Sequence, residues 1–326
     1  RRGAGIRDGA AIIEYFEAQV GRPCQPKGAR QGVVSALFDV IGSQGLLRPA
    51  MHYRWNFPEE NAEFVRYHFL HSQRDAPGRE EKTEYMMDRM RHAAVIFGVT
   101  DDTRELIETL YLTFLDALNS HFEEYPYLLG WRPCLGDFGL LGPLYAHLGR
   151  DPYPARLMQQ RAPRVWRWVE RMNRADQDAP EYLNTGDDFL ADDAVPDTLL
   201  AVLRVVANDF MPETRASAEL VNQWLAEQAP KTGAPAVGRL AEAPGSAAFL
   251  VDGQQITALA QPYRHFQLQR VHQLVSALAD REQSAVMALL ERCGFGQLLS
   301  ISLHRTIVHE GNLERWGPPK DGGFKK

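Results

Sequence analysis

The side chains with most chemical scope fall into three groups. Asp8 and Gly9 stand just before an apolar run, 10–16, where a helix would open. A helix N-terminus offers unpaired N–H groups and a partial positive charge, which suits a ligand carboxylate, and a carboxylate beside it suits an ammonium. Asp8 could equally be a plain N-cap. Tyr53, Arg54 and Trp55 form the second group. A guanidinium between two aromatic rings can stack on a substrate ring or pair with a substrate carboxylate; the alternative is a packed turn between helices. Cys134 and Asp137 have the spacing of a capping box, in which the carboxylate reaches back to the free N–H groups of the first helical turn. A thiol is a poorer acceptor there than a hydroxyl.

Other patterns lack partners. His68 and His71 lie one helical turn apart, but no HExxH motif or close carboxylate accompanies them, and no metal is expected. The run 3–8 begins like a dinucleotide fingerprint, yet Asp8 takes the third glycine position. There is no GxSxG elbow, P-loop or EF-hand. Cys24, Cys134 and Cys293 are widely spaced and odd in number, so neither a disulfide framework nor a CxxC site is expected, and a reducing cytoplasm fits.

These groups need elements to hold them. With 326 residues, 44% of them hydrophobic, the chain can build a substantial core of two ordinary domains. The net charge of -6, with Arg interleaved among Asp and Glu, argues against a nucleic-acid partner. No run reaches the roughly 18 apolar residues of a membrane helix, and no membrane partner is expected. After a linker at 20–26, apolar spacing predicts helices over 29–47, 58–71, 80–97, 103–122, 135–148 and 161–172. Pro49 should bend the path after the first, so that 49–58 interrupts the helical pattern. In 135–148, Phe138, Leu141, Leu144, Tyr145 and Leu148 form a large face, while Gly136, Gly139 and Gly142 let a neighbouring backbone approach. In 161–172 the expected buried stripe is Val165, Trp166, Val169 and Met172.

The acidic stretch 187–196 marks a boundary. Beyond it, 196–228 reads as one long or two shorter helices, 230–244 as an exposed connection, and 262–278 and 281–292 as further helices. Asp252-Gly253 supplies two positive-φ positions between alternating segments, which predicts a β-hairpin over 247–260.

The segment 131–149, with Asp137 three residues after Cys134 and an apolar helix following, resembles the core helix of the glutathione transferase C-terminal domain, where a Ser or Thr usually stands at the Cys134 position. Pro163 and the helix after it resemble the family's next helix. Residues 6–17 resemble the last helix of the family's thioredoxin-like domain, with Asp8 at its acidic position and Gly9 replacing its serine. The segment 49–58 resembles part of large bacterial glutathione transferase-like proteins that carry extra C-terminal sequence.

The resemblance implies a mainly α fold: the end of a thioredoxin-like domain at 1–22, an all-helical glutathione transferase C-terminal-like domain at 28–190, and a mixed α/β extension at 196–326. It implies glutathione as co-substrate, with Asp8 and Gly9 holding its γ-glutamyl end. It also implies a small electrophile beside Tyr53, Arg54 and Trp55, and a homodimer. The upstream Ser, Cys or Tyr and the cis-proline of the family are not in the sequence, which starts on Arg1; the expectation is a chain lacking most of its thioredoxin-like domain, with no catalytic residue to assign. The other expectation is a non-catalytic assembly protein that uses the helical domain.

Overall fold

Prolines open four of the helices. Pro58, Pro152, Pro163 and Pro262 each stand in a first turn, where the missing N–H costs nothing and the fixed φ favours the helix. The computed structural model describes residues 5–6, 9–174, 179–183, 186–238 and 241–320. Helix α1 is Gly9–Gln19 and α2 Ala29–Val40, followed by a π-helical turn Ile41–Gly45 and α3 Leu47–Trp55. Then come α4 Pro58–Ser72, α5 Arg79–Ile96, α6 Arg104–Glu124, α7 Leu135–Pro143 with a π-helical turn Leu144–Leu148, α8 Pro152–Arg161 and α9 Pro163–Met172. The C-terminal part holds α10 Asp197–Gln228, β1 Ser246–Val251, β2 Gln254–Leu259, α11 Pro262–Ser276, α12 Asp280–Arg292, β3 Arg305–Glu310 and β4 Leu313–Pro319. The fold is mainly helical, with two antiparallel hairpins among the described residues. No described helix is long and apolar enough to cross a membrane.

Helix α7 lies along α2 with its glycines inward. A Cβ on Gly136 would sit 2.7 Å from the Phe38 Cβ, and one on Gly139 would sit 2.5 Å from the Asp39 Cα. Gly42 faces the same contact, 2.2 Å from the Gly139 carbonyl by the same test. Gly142, by contrast, faces open space. Pro143 cannot donate to the Gly139 carbonyl, and there the helical ladder widens into its π-turn.

The segment 49–58 is mostly helical: 49–55 belongs to α3, and the interruption is confined to 56–57, before Pro58 opens α4. Pro49 falls in the first turn of that helix, where the N–H it lacks would have had no helical partner, and the bend expected at Pro49 falls instead at the π-turn and Leu46 before it. The run 152–172 divides into α8 and α9, because Ala162, preceding Pro163, is held out of the helical region (φ −132°, ψ 64°). The buried tryptophan of α9 is Trp168, with Val165, Val169 and Met172, whereas Trp166 is only half-buried.

The C-terminal part joins the core of the bundle. Leu199, Leu203, Phe210, Leu268, Val271 and Leu290 belong to the same buried cluster as Leu37, Phe38 and Leu118. Four buried charges tie it down. Arg48 of α3 meets Asp209 at 2.7 Å and Glu213 at 3.0 Å on α10, and Arg264 of α11 meets Glu213 at 2.6 Å. Burial pushes the Glu213 carboxyl up, but the two guanidiniums outweigh that and hold it below its usual value.

Both hairpins turn on paired positive-φ residues, Asp252 (48°) with Gly253 (81°) and Gly311 (60°) with Asn312 (60°). The first is the hairpin read from Asp252-Gly253. The second carried the same kind of signal, Gly311-Asn312 between two short alternating runs.

Candidate functional site

Helix α1 and the segment after it frame the first cleft. Asp8 lies outside the described residues. Gly9 opens α1 and is exposed, and a Cβ there would meet nothing within 4 Å, so a ligand can approach its backbone. After α1 the chain turns through Gly21 (φ 81°) and Arg22 (φ 60°). The Cys24 N–H then donates to Glu17 Oε2 at 3.0 Å, and the Leu135 N–H at the start of α7 donates to the Cys24 carbonyl at 3.0 Å. Burial, and then the Glu17 carboxylate, push the Cys24 thiol up to about 12, so it stays protonated at neutral pH.

Between α1, α2 and α11 the surface opens into a cleft of about 330 Å³. Glu14, Arg22, Gln25, Ser35, Arg270 and Gln273 line it. Arg22 donates to Glu14 at 2.5 Å, as does Gln25 at 3.3 Å, and the bond from Arg22 holds the Glu14 carboxyl below its usual value. Arg270 reaches Asp39 at 3.4 Å. Guanidinium and carboxylate are therefore balanced, an arrangement that suits a zwitterionic ligand able to exchange with these pairs.

Asp137 fixes the start of α7 beside this cleft. The carboxylate is fully buried and accepts from the Cys134 N–H at 2.9 Å, the Leu128 N–H at 3.2 Å and Trp168 Nε1 at 2.9 Å. The capping box expected from Cys134 and Asp137 is present. The bonds from Leu128 and Trp168 were not visible in the spacing.

Tyr53, Arg54 and Trp55 lie where α7 ends, not where it starts. Arg54 makes a bidentate pair with Asp151, at 2.7 and 2.9 Å, and donates to the Ala146 carbonyl at 3.1 Å. Eleven residues of helix separate Ala146 from Leu135, a rise of about 17 Å. Arg54 lines a different cleft from Glu14 and Arg22, and Gly9 is among the lining residues of neither. Tyr53 is buried, with the rings of Phe57, Tyr111 and Tyr153 within 5.5, 5.1 and 6.1 Å. Trp55 packs on Phe69 at 5.9 Å beneath the Arg91 guanidinium. Of the three, Arg54 borders a cleft, a second one described below.

Among the described residues no group of three His, Cys, Asp or Glu is placed to hold a metal. His71 Nδ1 lies 2.7 Å from the Tyr67 carbonyl, and His68 Nδ1 accepts from Arg150 at 2.9 Å. A Ser217–His265 pair at 3.0 Å has the makings of a nucleophile and base, but both residues are buried, and burial pushes the imidazole down to about 3. Comparison of the chain with known protein families, with curated proteins and with solved structures finds no match.

Proposed function

We propose that this chain is the helical part of a glutathione transferase-like protein that conjugates or reductively processes a small electrophile with glutathione. The observation that carries the reading is the joint between Cys24 and Leu135. Residues 6–17 and 131–149 each resemble a piece of that family, and the linker residue Cys24 ties them together, its N–H donating to Glu17 and its carbonyl accepting from Leu135 beside the Asp137 cap. Bound glutathione supplies a thiol whose ionised form is the nucleophile. The residues present fit its charges. In the cleft Glu14 offers an acceptor for an ammonium and Arg270, the less tightly held of the two guanidiniums, a partner for a carboxylate, while Gly9 offers the open N-terminus of the same helix five residues before Glu14.

Titration calorimetry of glutathione into the protein and into Arg270→Ala tests this. Binding that weakens about tenfold in the variant is expected for the loss of one charge-assisted pair. Absence of binding, or binding indifferent to Arg270, removes the reading.

One observation favours assembly as a second role. Ile12, Tyr15, Phe16 and Val20 on and just after α1 are 40, 51, 61 and 66% exposed, an apolar face that a second copy would cover. Light scattering should then give a dimer mass that falls to the monomer in Phe16→Glu. A monomeric wild type excludes the dimer.

A further inference from the structure

At the far end of α7 a cleft of about 290 Å³ opens between α4 and the π-turn Leu144–Leu148. Its wall is apolar on one side, from Phe64, Val65 and Phe69 of α4, and polar on the other, from Arg54, His147 and Arg150. The charges are not balanced as they are in the first cleft. Arg54 is neutralised by the buried Asp151, which accepts from its Nε and Nη2, while Nη2 also donates to the Ala146 carbonyl. Arg150 reaches only the imidazole of His68, at 2.9 Å. That bond makes His68 Nδ1 an acceptor, so the imidazole is neutral, and among the described residues no carboxylate pairs with the exposed Arg150 guanidinium. Deeper in, His147 Nδ1 is shut off from solvent without a hydrogen-bond partner. A buried polar atom left unpaired is costly, so this end of α7 is less well satisfied than its start.

We infer that this cleft is a second ligand site, separate from any glutathione site, and that it takes a small aromatic carboxylate. Its ring lies against Phe64 and Phe69, and its carboxylate pairs with Arg150. The aromatic wall excludes small inorganic anions as the preferred ligand, since they leave Phe64, Val65 and Phe69 uncovered. The single free guanidinium favours one carboxylate over a polyanion, because Asp151 has already neutralised Arg54. The site does not depend on the reading of the first cleft, which lies at the other end of α7.

Calorimetry with 2-naphthoate as the probe, and 2-naphthol as the uncharged ligand of similar shape, tests the inference on the full chain. The expected result is saturable binding of naphthoate, with naphthol weaker by about tenfold or more. Arg150→Ala should bring naphthoate down to the naphthol level. Arg150 is exposed and bonded only to His68, so this variant should keep its fold, which circular dichroism checks. Arg270→Ala, in the first cleft, should leave naphthoate binding within about twofold. No heat at millimolar naphthoate, equal binding of naphthol, or loss of binding in Arg270→Ala in place of Arg150→Ala would each overturn the assignment.

Discussion

At the start of α7 one buried carboxylate satisfies three donors, the N–H groups of Cys134 and Leu128 and the indole of Trp168. At its end, past Pro143, His147 Nδ1 is buried with no partner and Arg150 is bonded to a neutral ring. The two ends belong to one helical stretch and pack on the same bundle, so burial alone does not separate them. What separates them is polar satisfaction. The first end joins the segments after α1, at α7 and at α9 into one position, as a satisfied network should. The second leaves one polar atom buried without a partner, which costs stability, and one guanidinium exposed at a cleft, where it can meet a ligand.

Removing the carboxylate is the largest way to break this contrast. Asp137→Ala leaves three buried donors without an acceptor and should lower stability by about 3 kcal/mol or more. Asp137→Asn keeps an acceptor oxygen and should lose less. Urea denaturation of both variants measures the difference, and a loss below about 1 kcal/mol in the alanine variant would mean that water reaches the start of α7 and that the two ends are alike.

How far these ends could be read from the sequence depends on how local their causes are. The pairing of Cys134 with Asp137 was legible because a cap spans three residues, and Asp252-Gly253 because a tight turn needs only two. The inward glycines Gly136 and Gly139 were legible from helical spacing, but Gly42, on another helix, was not, since nothing local says which glycine will meet which. The spacing pointed to Trp166 in place of Trp168 because a short helix with two tryptophans leaves the phase of its buried stripe open, and the bond from Trp168 to Asp137 settles that phase. The second cleft was least legible. Arg54 is 97 residues from Asp151, and Arg150 is 82 from His68, so the sequence marked Arg54 as a site residue without revealing that its charge is already neutralised.

The middle of α7 gives a prediction of intermediate size. Gly42→Ala places a methyl 2.2 Å from the Gly139 carbonyl, a backbone atom that cannot rotate away, and the helices must part at a cost of about 1–3 kcal/mol. Gly142→Ala, beyond the last close contact of α7, meets open space and should stabilise by about 0.5–1 kcal/mol through reduced backbone freedom in the unfolded chain. Opposite signs in thermal melts would locate the boundary between the fastened and the open part of α7 between Gly139 and Gly142. A matching loss in both variants would mean that the tight packing continues into the π-turn.

His147 supplies the smallest effect and the sharpest test of the open end. Burial, and then the Arg54 charge, push its imidazole down from 6.5 to about 4. The folded value is below the unfolded one, so on acidification the unfolded chain takes up the proton first. The contribution of His147 to stability is therefore complete above about pH 6.5 and is lost as the pH falls from there toward 4. The slope is at most about 1.4 kcal/mol per pH unit and flattens near pH 4. His147→Phe removes both the titration and the unpaired Nδ1, and the cleft beside it has room for the ring. At pH 7.5 the variant should match wild type or exceed it by up to about 1 kcal/mol, because no hydrogen bond is lost and a buried polar atom is gone. Between pH 6.5 and 4 it should lose stability more slowly than wild type, while the buried His121 and His265 titrate alike in both and cancel from the difference. If His147→Phe were destabilised at pH 7.5 and followed the wild-type slope, Nδ1 would have a partner in solution, and the end of α7 would be as fully satisfied as its start.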